Sequence, residues 1–357
     1  MSHVHSELFP SVPGRYRHPR LLAPSPTVSV VIVNYRVEDR VATAVASVQS
    51  DPSVAEIIIV DNGSASSVLK TLQQTYPAVR LVESDQNVGF AAAANRGARL
   101  AHGEFLFFLN PDAIAETACI PRLIDAYRAR PGIVGPAIYA AANHSLDIGA
   151  TMNHLGMSVS LDGIQPPLYV SGCALFTSTW LFARLGEFDE RYFLFVEDVE
   201  LCWRALLAGY DVRAIPGARV RHEGGASAGG GYFTAGQRYH TSALRIAARE
   251  KNTVAAMISC APWYWLPAVL PALIARSVAF AIGGLCLGRT RLSLALLGGL
   301  AWNMVHLPSS LARRRSLVRG KQGEHEAAQR FVHRPVVLLM LWRSGVPRVS
   351  PGSVGRP

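Results

Sequence analysis

Charged residues and cysteines are both scarce in this chain of 357 residues. Only 17% of the residues are charged and half are hydrophobic, which excludes disorder throughout and favours contact with a membrane. The five cysteines are scattered without close pairs, so the pattern fits neither a zinc site nor a disulfide framework. We expect buried, reduced thiols of the kind found in the cytosol.

The N-terminal segment also lacks the apolar stretch that a secretory signal requires. We predict that residues 1–26 are a flexible leader. The net charge of +10 is concentrated near the other end, where residues 311–357 contain ten lysines and arginines but only Glu324 and Glu326 as acids. A nucleic-acid-binding protein would spread basic and aromatic residues over a folded face. A basic tail at 312–357 beside an apolar region instead indicates anionic lipid headgroups, with no nucleic-acid partner.

Alternating strand and helix patterns dominate the first 250 residues. The runs Val28–Val33, Glu56–Val60 and Phe105–Leu109 are apolar apart from Ser29 and Glu56, as strands covered on both faces are, and helical spacing follows the first of them. Residues 131–178 form a weaker pattern of short strands and glycine turns. We therefore predict an α/β domain at 27–251, with a mostly parallel central sheet, flanking helices and a ligand crevice at the carboxyl edge of the sheet.

Two uncharged runs follow this domain. Thr253–Ala275 has 23 residues without charge but contains three prolines, and Leu292–Leu311 is the second run. Two spans, a re-entrant hairpin, interfacial helices and a buried helical subdomain are all compatible with this pattern. The prolines and the aromatic cluster at 263–265 favour shallow or hairpin insertion. We predict an apolar, membrane-associated helical region at 252–311, on the cytoplasmic face of the inner membrane.

Acidic residues stand where two predicted strands end. Asp61 can accept hydrogen bonds from a nucleoside, and Asp112 can hold Mg²⁺ or Mn²⁺ against substrate phosphates. Each of them alone is equally typical of a turn or a helix cap. Glu197 and Asp198 begin a predicted helix among aromatic residues, an environment that suits a general base, although they could also simply charge the helix start. His222 is a candidate metal ligand or a structural histidine.

In this order the segments resemble the family 2 glycosyltransferases of the GT-A fold, over roughly Val28–Lys251. The segments that carry the resemblance are Asn34-Tyr35, Val60 to Ser64, Asn87 to Phe90 with Asn95, Asn110-Pro111-Asp112, Ser171 to Leu175, Phe188 to Asp198, and His222 to Ser227. Within the family, the block from Phe188, the Ser-Gly segment and the His222 ending look most like bacterial rhamnosyltransferases that use dTDP-rhamnose.

The resemblance implies an inverting transfer from a nucleotide-diphosphate sugar to a cell-wall or lipid-linked saccharide. Its implied roles are nucleotide-sugar binding by Asn34, Tyr35, Asp61, Asn87, Gly89, Asn110 and Asp112, sugar contact by Gly172 and Glu197, metal binding by Asp112 and His222, and proton abstraction by Asp198. Many relatives carry an acid where this chain has Asn110. Loss of that carboxylate should weaken binding of the ion, and Asn110 can instead donate a hydrogen bond to substrate.

Three alternatives remain open at this point. The same machinery could use a UDP-hexose or UDP-galactofuranose. A nucleotidyltransferase would require a glycine-rich phosphate loop near the first strand, whereas Val33–Val37 contains no glycine. A catalytically inactive membrane-surface scaffold would have no need for Asp112 together with Glu197 and Asp198.

Overall fold

The structure is a computed structural model that describes residues 26–64, 67–140, 145–161, 163, 165–223, 232–233, 239–331 and 348–350. The predicted leader up to residue 25, the end of the His222–Ser227 motif and most of the basic tail beyond residue 331 lie outside the described residues.

The strands and helices alternate through the first half of the chain. The strands are β1 (Val28–Asn34), β2 (Val54–Asn62), β3 (Val79–Ser84), β4 (Phe105–Leu109), β5 (Ala113–Ala115), β6 (Gly132–Ala140), β7 (Ser145–Asp147), β8 (Ala150–Met152), β9 (Ser158–Ser160), β10 (Ala174–Ser178), β11 (Asp211–His222), β12 (Tyr232–Phe233), β13 (Tyr239–Ser242) and β14 (Arg348–Ser350). The helices are α1 (Glu38–Val48), α2 (Ser67–Thr75), α3 (Phe90–Leu100), α4 (Cys119–Ala129), α5 (Thr179–Arg184), α6 (Glu197–Leu207), α7 (Ala243–Cys260), α8 (Leu266–Cys286), α9 (Thr290–Val305), α10 (Leu307–Ser316) and α11 (Lys321–Gln329).

A nine-stranded sheet forms the centre of the domain, in the order β3-β2-β1-β4-β10-β6-β11-β5, with β7 added to β6. Strands β3, β2, β1 and β4 are parallel, as their apolar runs predict. Strand β10 is antiparallel to both β4 and β6, and β5 is antiparallel to β11, so the other half of the sheet is mixed. The predicted α/β fold is confirmed, and the parallel strands end at one edge.

Two hydrophobic cores cover the two faces of this sheet. Every residue of β1 is buried, because alternate side chains of the strand enter opposite cores. Val31 packs in the core that contains residues of α3, α6 and α7, and Val30 packs in the core that contains residues of α1, α2 and α4. Burial on both faces explains why five of the seven residues in this strand are valine or isoleucine.

The first uncharged run is divided between two helices. Residues 253–260 complete α7 and are buried, and the helix ends at Cys260, with Ala261 as its C-cap immediately before Pro262. Helix α7 therefore crosses the predicted domain boundary at 251/252, and that boundary remains a prediction. Helices α8 and α9 follow as a hairpin with a short turn at 287–289. Within the described residues, Trp263–Cys286 is the one helical segment long and apolar enough to cross a membrane.

A buried polar cluster attaches α8 to the catalytic domain. Arg276 pairs with Glu250 of α7 and donates to the carbonyl of Leu155, while the Ser277 hydroxyl donates to Glu250. One face of α8, which includes Leu273 and Ser277, is buried against the protein. The charged side chain inside this apolar helix thus serves the helix–domain interface.

Part of the basic C-terminal segment is folded and makes internal contacts. Arg314 donates to the carbonyls of Ile258 and Ala261, and Arg319 pairs with Glu324. Arg330 is nearly fully buried between Asp211 and Glu326. These arginines make contacts within the fold, and the lipid-binding role expected of the tail stays a prediction.

Candidate active site

The residues predicted to bind the nucleoside lie where β1 and β2 end. Asn34 and Asp61 are buried neighbours, with Asn34 Nδ2 3.4 Å from Asp61 Oδ1. Asp61 Oδ1 also accepts a hydrogen bond from the backbone N–H of Ser64, and the Ser64 hydroxyl accepts one from Asn34 Nδ2 at 3.3 Å. Adjacent parallel strands force this meeting, because Asn34 and Asp61 are partners in register. The pair offers oxygen atoms to a nucleoside base or ribose.

Asn62 fixes the loop before α3. Its Nδ2 donates to Asn87 Oδ1 and to the carbonyl of Gly89, and its Oδ1 accepts from the N–H of Val88. Gly89 has φ +87° and precedes the first residue of α3, so its backbone lies at a helix N-terminus. A Cβ at Gly89 would lie 2.5 Å from the carbonyl oxygen of Phe193, so only glycine fits. This end of α3 favours negative charge.

Asp112 and His222 form the candidate metal site. His222 Nε2 lies 3.2 Å from Asp112 Oδ1 and 3.5 Å from Asn110 Nδ2. Burial alone would lower the pKa of His222, but hydrogen bonds with Asp112 and Cys173 outweigh it and raise that pKa to about 10. Burial alone would raise the pKa of Asp112, yet the hydrogen bond from His222 outweighs it and lowers that pKa. The two side chains are therefore an ion pair.

Of these two residues, Asp112 is a suitable ligand for a divalent cation as it stands, and His222 is not. Among the described residues, no group of three His, Cys, Asp or Glu side chains converges on one point. Mg²⁺ commonly uses one or two carboxylates, waters and substrate phosphates, so Asp112 suits that mode. His222 would have to release its proton to act as a ligand. Asp112 and His222 therefore fit a divalent cation that is held in part by the phosphates of the nucleotide diphosphate.

Asp198 is held by the backbone at the start of α6. The N–H of Gly172 donates to its Oδ2 at 2.7 Å, and the N–H of Val199 donates to its Oδ1 at 2.8 Å. Burial raises the pKa of Asp198, although both hydrogen bonds oppose that rise by favouring the ionised form. Glu197 is more deeply buried, and burial together with the charge of Asp198 raises its pKa to about 8. Burial and the neighbouring carboxylate thus favour the protonated form of Glu197.

The loop before this pair is strained. Phe193, Phe195 and Val196 all have φ between 59° and 71°, which β-branched and bulky side chains rarely adopt. Asn252 of α7 holds the loop, because its Nδ2 donates to the carbonyls of Tyr192, Leu194 and Phe195 at 2.8, 2.9 and 2.6 Å. Asn252 of α7 thus helps to hold Asp198 in position through the loop that precedes it.

The structure brings most of the predicted site residues together along the sheet edge. The N–H of Asn110 donates to the carbonyl of Cys173, next to Gly172, and this links the metal candidates to the Asp198 group. Tyr35 lies beside Asn34, half-buried, with the Arg36 guanidinium 5.2 Å from its ring centre. The structure places all of these residues, and their predicted roles remain predictions.

Two residues that hold loops of the site, Asn62 and Asn252, were not identified from the sequence. Asn62 lies inside the quoted Asp-Asn-Gly-Ser segment, where an asparagine is an ordinary turn residue. Asn252 lies within a helix among apolar residues and could have been noticed only as a lone amide in a buried position. Both act on backbone groups that are distant in sequence, and sequence spacing does not show such contacts.

Comparison with known proteins adds the family. Residues 29–180 match the sequence model described as glycosyl transferase family 2. An N-acetylglucosaminyl-diphospho-decaprenol L-rhamnosyltransferase of Mycobacterium tuberculosis is 29% identical over 208 residues, which cover 48% of this chain and 68% of that protein. A low-salt glycan biosynthesis hexosyltransferase of Haloferax volcanii is 25% identical over 192 residues, covering 50% of this chain and 61% of that protein.

Solved structures share the fold. A Pyrobaculum calidifontis mannosyltransferase in complex with GDP-Man and Mn²⁺ superposes with a TM-score of 0.50 and 16% identity, covering 85% of this chain and 87% of that one. Residues 1–349 of S. aureus TarS in complex with UDP-GlcNAc give a TM-score of 0.51 at 12% identity, covering 86% of this chain and 93% of that one. Residues 29–180 therefore carry a family 2 glycosyltransferase domain with the GT-A fold, and the chain resembles rhamnosyltransferases.

Proposed function

We propose that the protein transfers rhamnose from dTDP-rhamnose to a hydroxyl of a lipid-linked or cell-wall saccharide, with inversion at the anomeric carbon and Asp198 as general base. The observation that carries the proposal is the fixed carboxylate of Asp198, anchored by the N–H groups of Gly172 and Val199 at the edge where the donor-site residues converge.

The chemistry follows from the charge state of the acidic pair. As a base Asp198 acts in its ionised form, which the N–H groups of Gly172 and Val199 favour, and burial raises its pKa above that of an exposed aspartate. It accepts the proton of the acceptor hydroxyl while that oxygen forms a bond to the anomeric carbon. The bond from this carbon to the diphosphate breaks on the opposite face, and the diphosphate leaves with the electron pair. A single displacement of this kind inverts the anomeric centre.

The N-terminus of α3 and the Asp112–His222 pair are suited to the leaving diphosphate. The helix start at Gly89 favours negative charge. Asp112 and His222 would hold Mg²⁺ or Mn²⁺, which when bound neutralises charge on the departing phosphates. Asn110 is placed to donate a hydrogen bond from its amide to the substrate.

The donor sugar is supported by the resemblance to rhamnosyltransferases and is tested with a donor panel. Purified protein is given dTDP-rhamnose, a UDP-hexose or UDP-galactofuranose, with an N-acetylglucosaminyl-diphosphoryl prenol as acceptor, and the product is followed by mass. We expect transfer from dTDP-rhamnose. Efficient transfer from a UDP-sugar with none from dTDP-rhamnose would establish the alternative donor.

The base is tested by Asp198→Asn, which keeps the side-chain volume but cannot take up a proton. We expect kcat to fall by roughly 10²–10⁴-fold while the donor Kd is retained. Asp125→Asn, an exposed aspartate on α4, is the matched control and should leave kcat unchanged. Near wild-type turnover in the Asp198 variant would contradict the assignment.

We further propose that the outer face of the α8–α9 hairpin lies on the cytoplasmic surface of an anionic membrane. This face exposes large apolar side chains, among them Ile282, Leu285 and Leu294, and Arg289 and Arg291 lie at the turn beside them. Such an arrangement suits shallow insertion next to a lipid-linked acceptor.

Flotation with anionic vesicles tests this face. Leu285→Glu with Leu294→Glu should reduce the vesicle-bound fraction, because each glutamate opposes burial in the interface. Leu146→Glu is the matched control, since Leu146 is 56% exposed and Leu285 is 53% exposed, but Leu146 lies on β7 away from the hairpin. Equal binding of all variants would argue against the membrane face.

A further inference from the structure

Two arginines of α7 stack on the aromatic ring that precedes the acidic pair. The guanidinium carbons of Arg245 and Arg249 lie 4.6 and 5.9 Å from the centre of the Phe195 ring. Their spacing of four residues places them on one face of the helix. Phe195 is two residues before Glu197, so both cations lie next to the loop that leads into the acidic pair.

The charge of Arg249 acts on the proposed base, Asp198. It lowers the pKa of both Asp198 and Glu197, against the stronger effect of burial, and it also acts on Tyr169. Arg249 is exposed, and within the described part of the chain it forms no ion pair with a carboxylate. Its neighbour Glu250 is engaged by Arg276 instead. An exposed cation is thus maintained beside the reacting groups without a partner carboxylate.

Guanidinium groups are suited to phosphate because their planar N–H groups match phosphate oxygens in pairs. Stacking on an aromatic ring limits the motion of the side chain, so less freedom is lost when the anion binds. Two such groups one helical turn apart match a diphosphate better than a single phosphate.

We propose that Arg245 and Arg249 bind a diphosphate ester beside Asp198. The inference rests on the proposed function, in which diphosphates enter from two sources. One is the leaving group of the sugar donor, and the other is the diphosphate that joins an acceptor saccharide to its lipid. Both present the same anion, and the pair would orient whichever of them lies next to the base.

Calorimetric binding separates the two sources. The probes are dTDP, which represents the donor, and geranyl diphosphate, a soluble prenyl diphosphate without a nucleoside. The full chain is compared with Arg245→Gln, Arg249→Gln and the double variant. Arg80→Gln on β3 is the matched control, because Arg80 is exposed and lies away from α7. Each α7 substitution should raise the Kd of at least one probe roughly tenfold, and the control should not.

The outcomes are distinct. An increase in Kd confined to geranyl diphosphate assigns the pair to the acceptor, and one confined to dTDP assigns it to the donor. Unchanged Kd values for both probes in the folded Arg249→Gln variant overturn the proposal. Because these assays need no turnover, an arginine-dependent Kd in a protein that transfers no rhamnose would reject the proposed function alone.

Discussion

Asn252 offers the sharpest test of how the fold positions the base. Its two N–H groups serve three carbonyls of the strained loop that leads into Glu197 and Asp198. Each non-glycine residue held at positive φ stores on the order of 1 kcal/mol, so the loop would relax if it were released. Asn252→Ala removes the donor that holds the loop in place.

The magnitude follows from the contacts. A net hydrogen bond contributes about 1 kcal/mol, and each buried carbonyl left unsatisfied costs about 1–3 kcal/mol, so Asn252→Ala should lose roughly 2–4 kcal/mol of unfolding free energy. Because a displacement of about 1 Å at a catalytic group costs about 10²-fold, kcat should fall roughly tenfold to hundredfold. The donor Kd should change less than kcat, because the loop contacts the start of α3 only through the Phe193 carbonyl and the hydrogen bonds of Asp61 do not involve the loop.

Asn303 supplies the matched control. It is also buried, and its Nδ2 donates to the carbonyls of Lys251 and Gly299 at 2.9 Å each, without touching the loop. Asn303→Ala should therefore lower the midpoint of thermal unfolding while kcat is retained. Asn252→Asp keeps the volume but replaces the donor with an acceptor, so it should impair kcat at least as much as alanine. Equal kcat losses in the Asn252 and Asn303 alanine variants would refute a positioning role.

Two further predictions concern charge and backbone. Glu197→Gln mimics the protonated form of Glu197 that burial and the charge of Asp198 favour below about pH 8, so the acid limb of the kcat profile should stay where it is in wild type. The pKa of Glu197 in the folded protein is raised to about 8, so wild type loses stability as pH rises from the unfolded-state pKa of this glutamate through that value. The Glu197→Gln variant has no proton to release there. Above pH 8 its midpoint of thermal unfolding should therefore have fallen less than that of wild type. Gly89→Ala should cost several kcal/mol and raise the donor KM, whereas Gly209→Ala, at φ +85° with open space around it, should cost about 1 kcal/mol and leave KM unchanged.

Sequence reasoning located the strand ends well, because residues in register on parallel strands must share an edge. Asn34 and Asp61 meet for this reason, and the run at Val28–Val33 predicted the strand that ends at Asn34. The insertion of β10 between β4 and β6 could not be predicted, since short strands carry no record of their partners. The burial of residues 253–260 within the protein could not be predicted either, because an uncharged run has the same sequence pattern whether lipid or protein covers it.

The contacts of Asn252 and Arg276 also escaped prediction, and for a different physical reason. An amide or a guanidinium in an apolar helix has no local partner, so its role depends on a segment far away in the chain. Asn252 is satisfied by a loop nearly 60 residues earlier, and Arg276 by Glu250 and Leu155. Tertiary structure alone identifies such residues as parts of the site or of its support.

Helix α7 has a consequence for building hybrid enzymes. Glu250 contacts the hairpin on one side of the helix, and Asn252 contacts the catalytic loop two residues later. Adding or removing one residue upstream would turn both by about 100°. A hybrid that replaces the hairpin with that of another transferase should therefore join the two chains after Ala261, where the helix has ended. It should retain Glu250, which receives the arginine of the incoming hairpin.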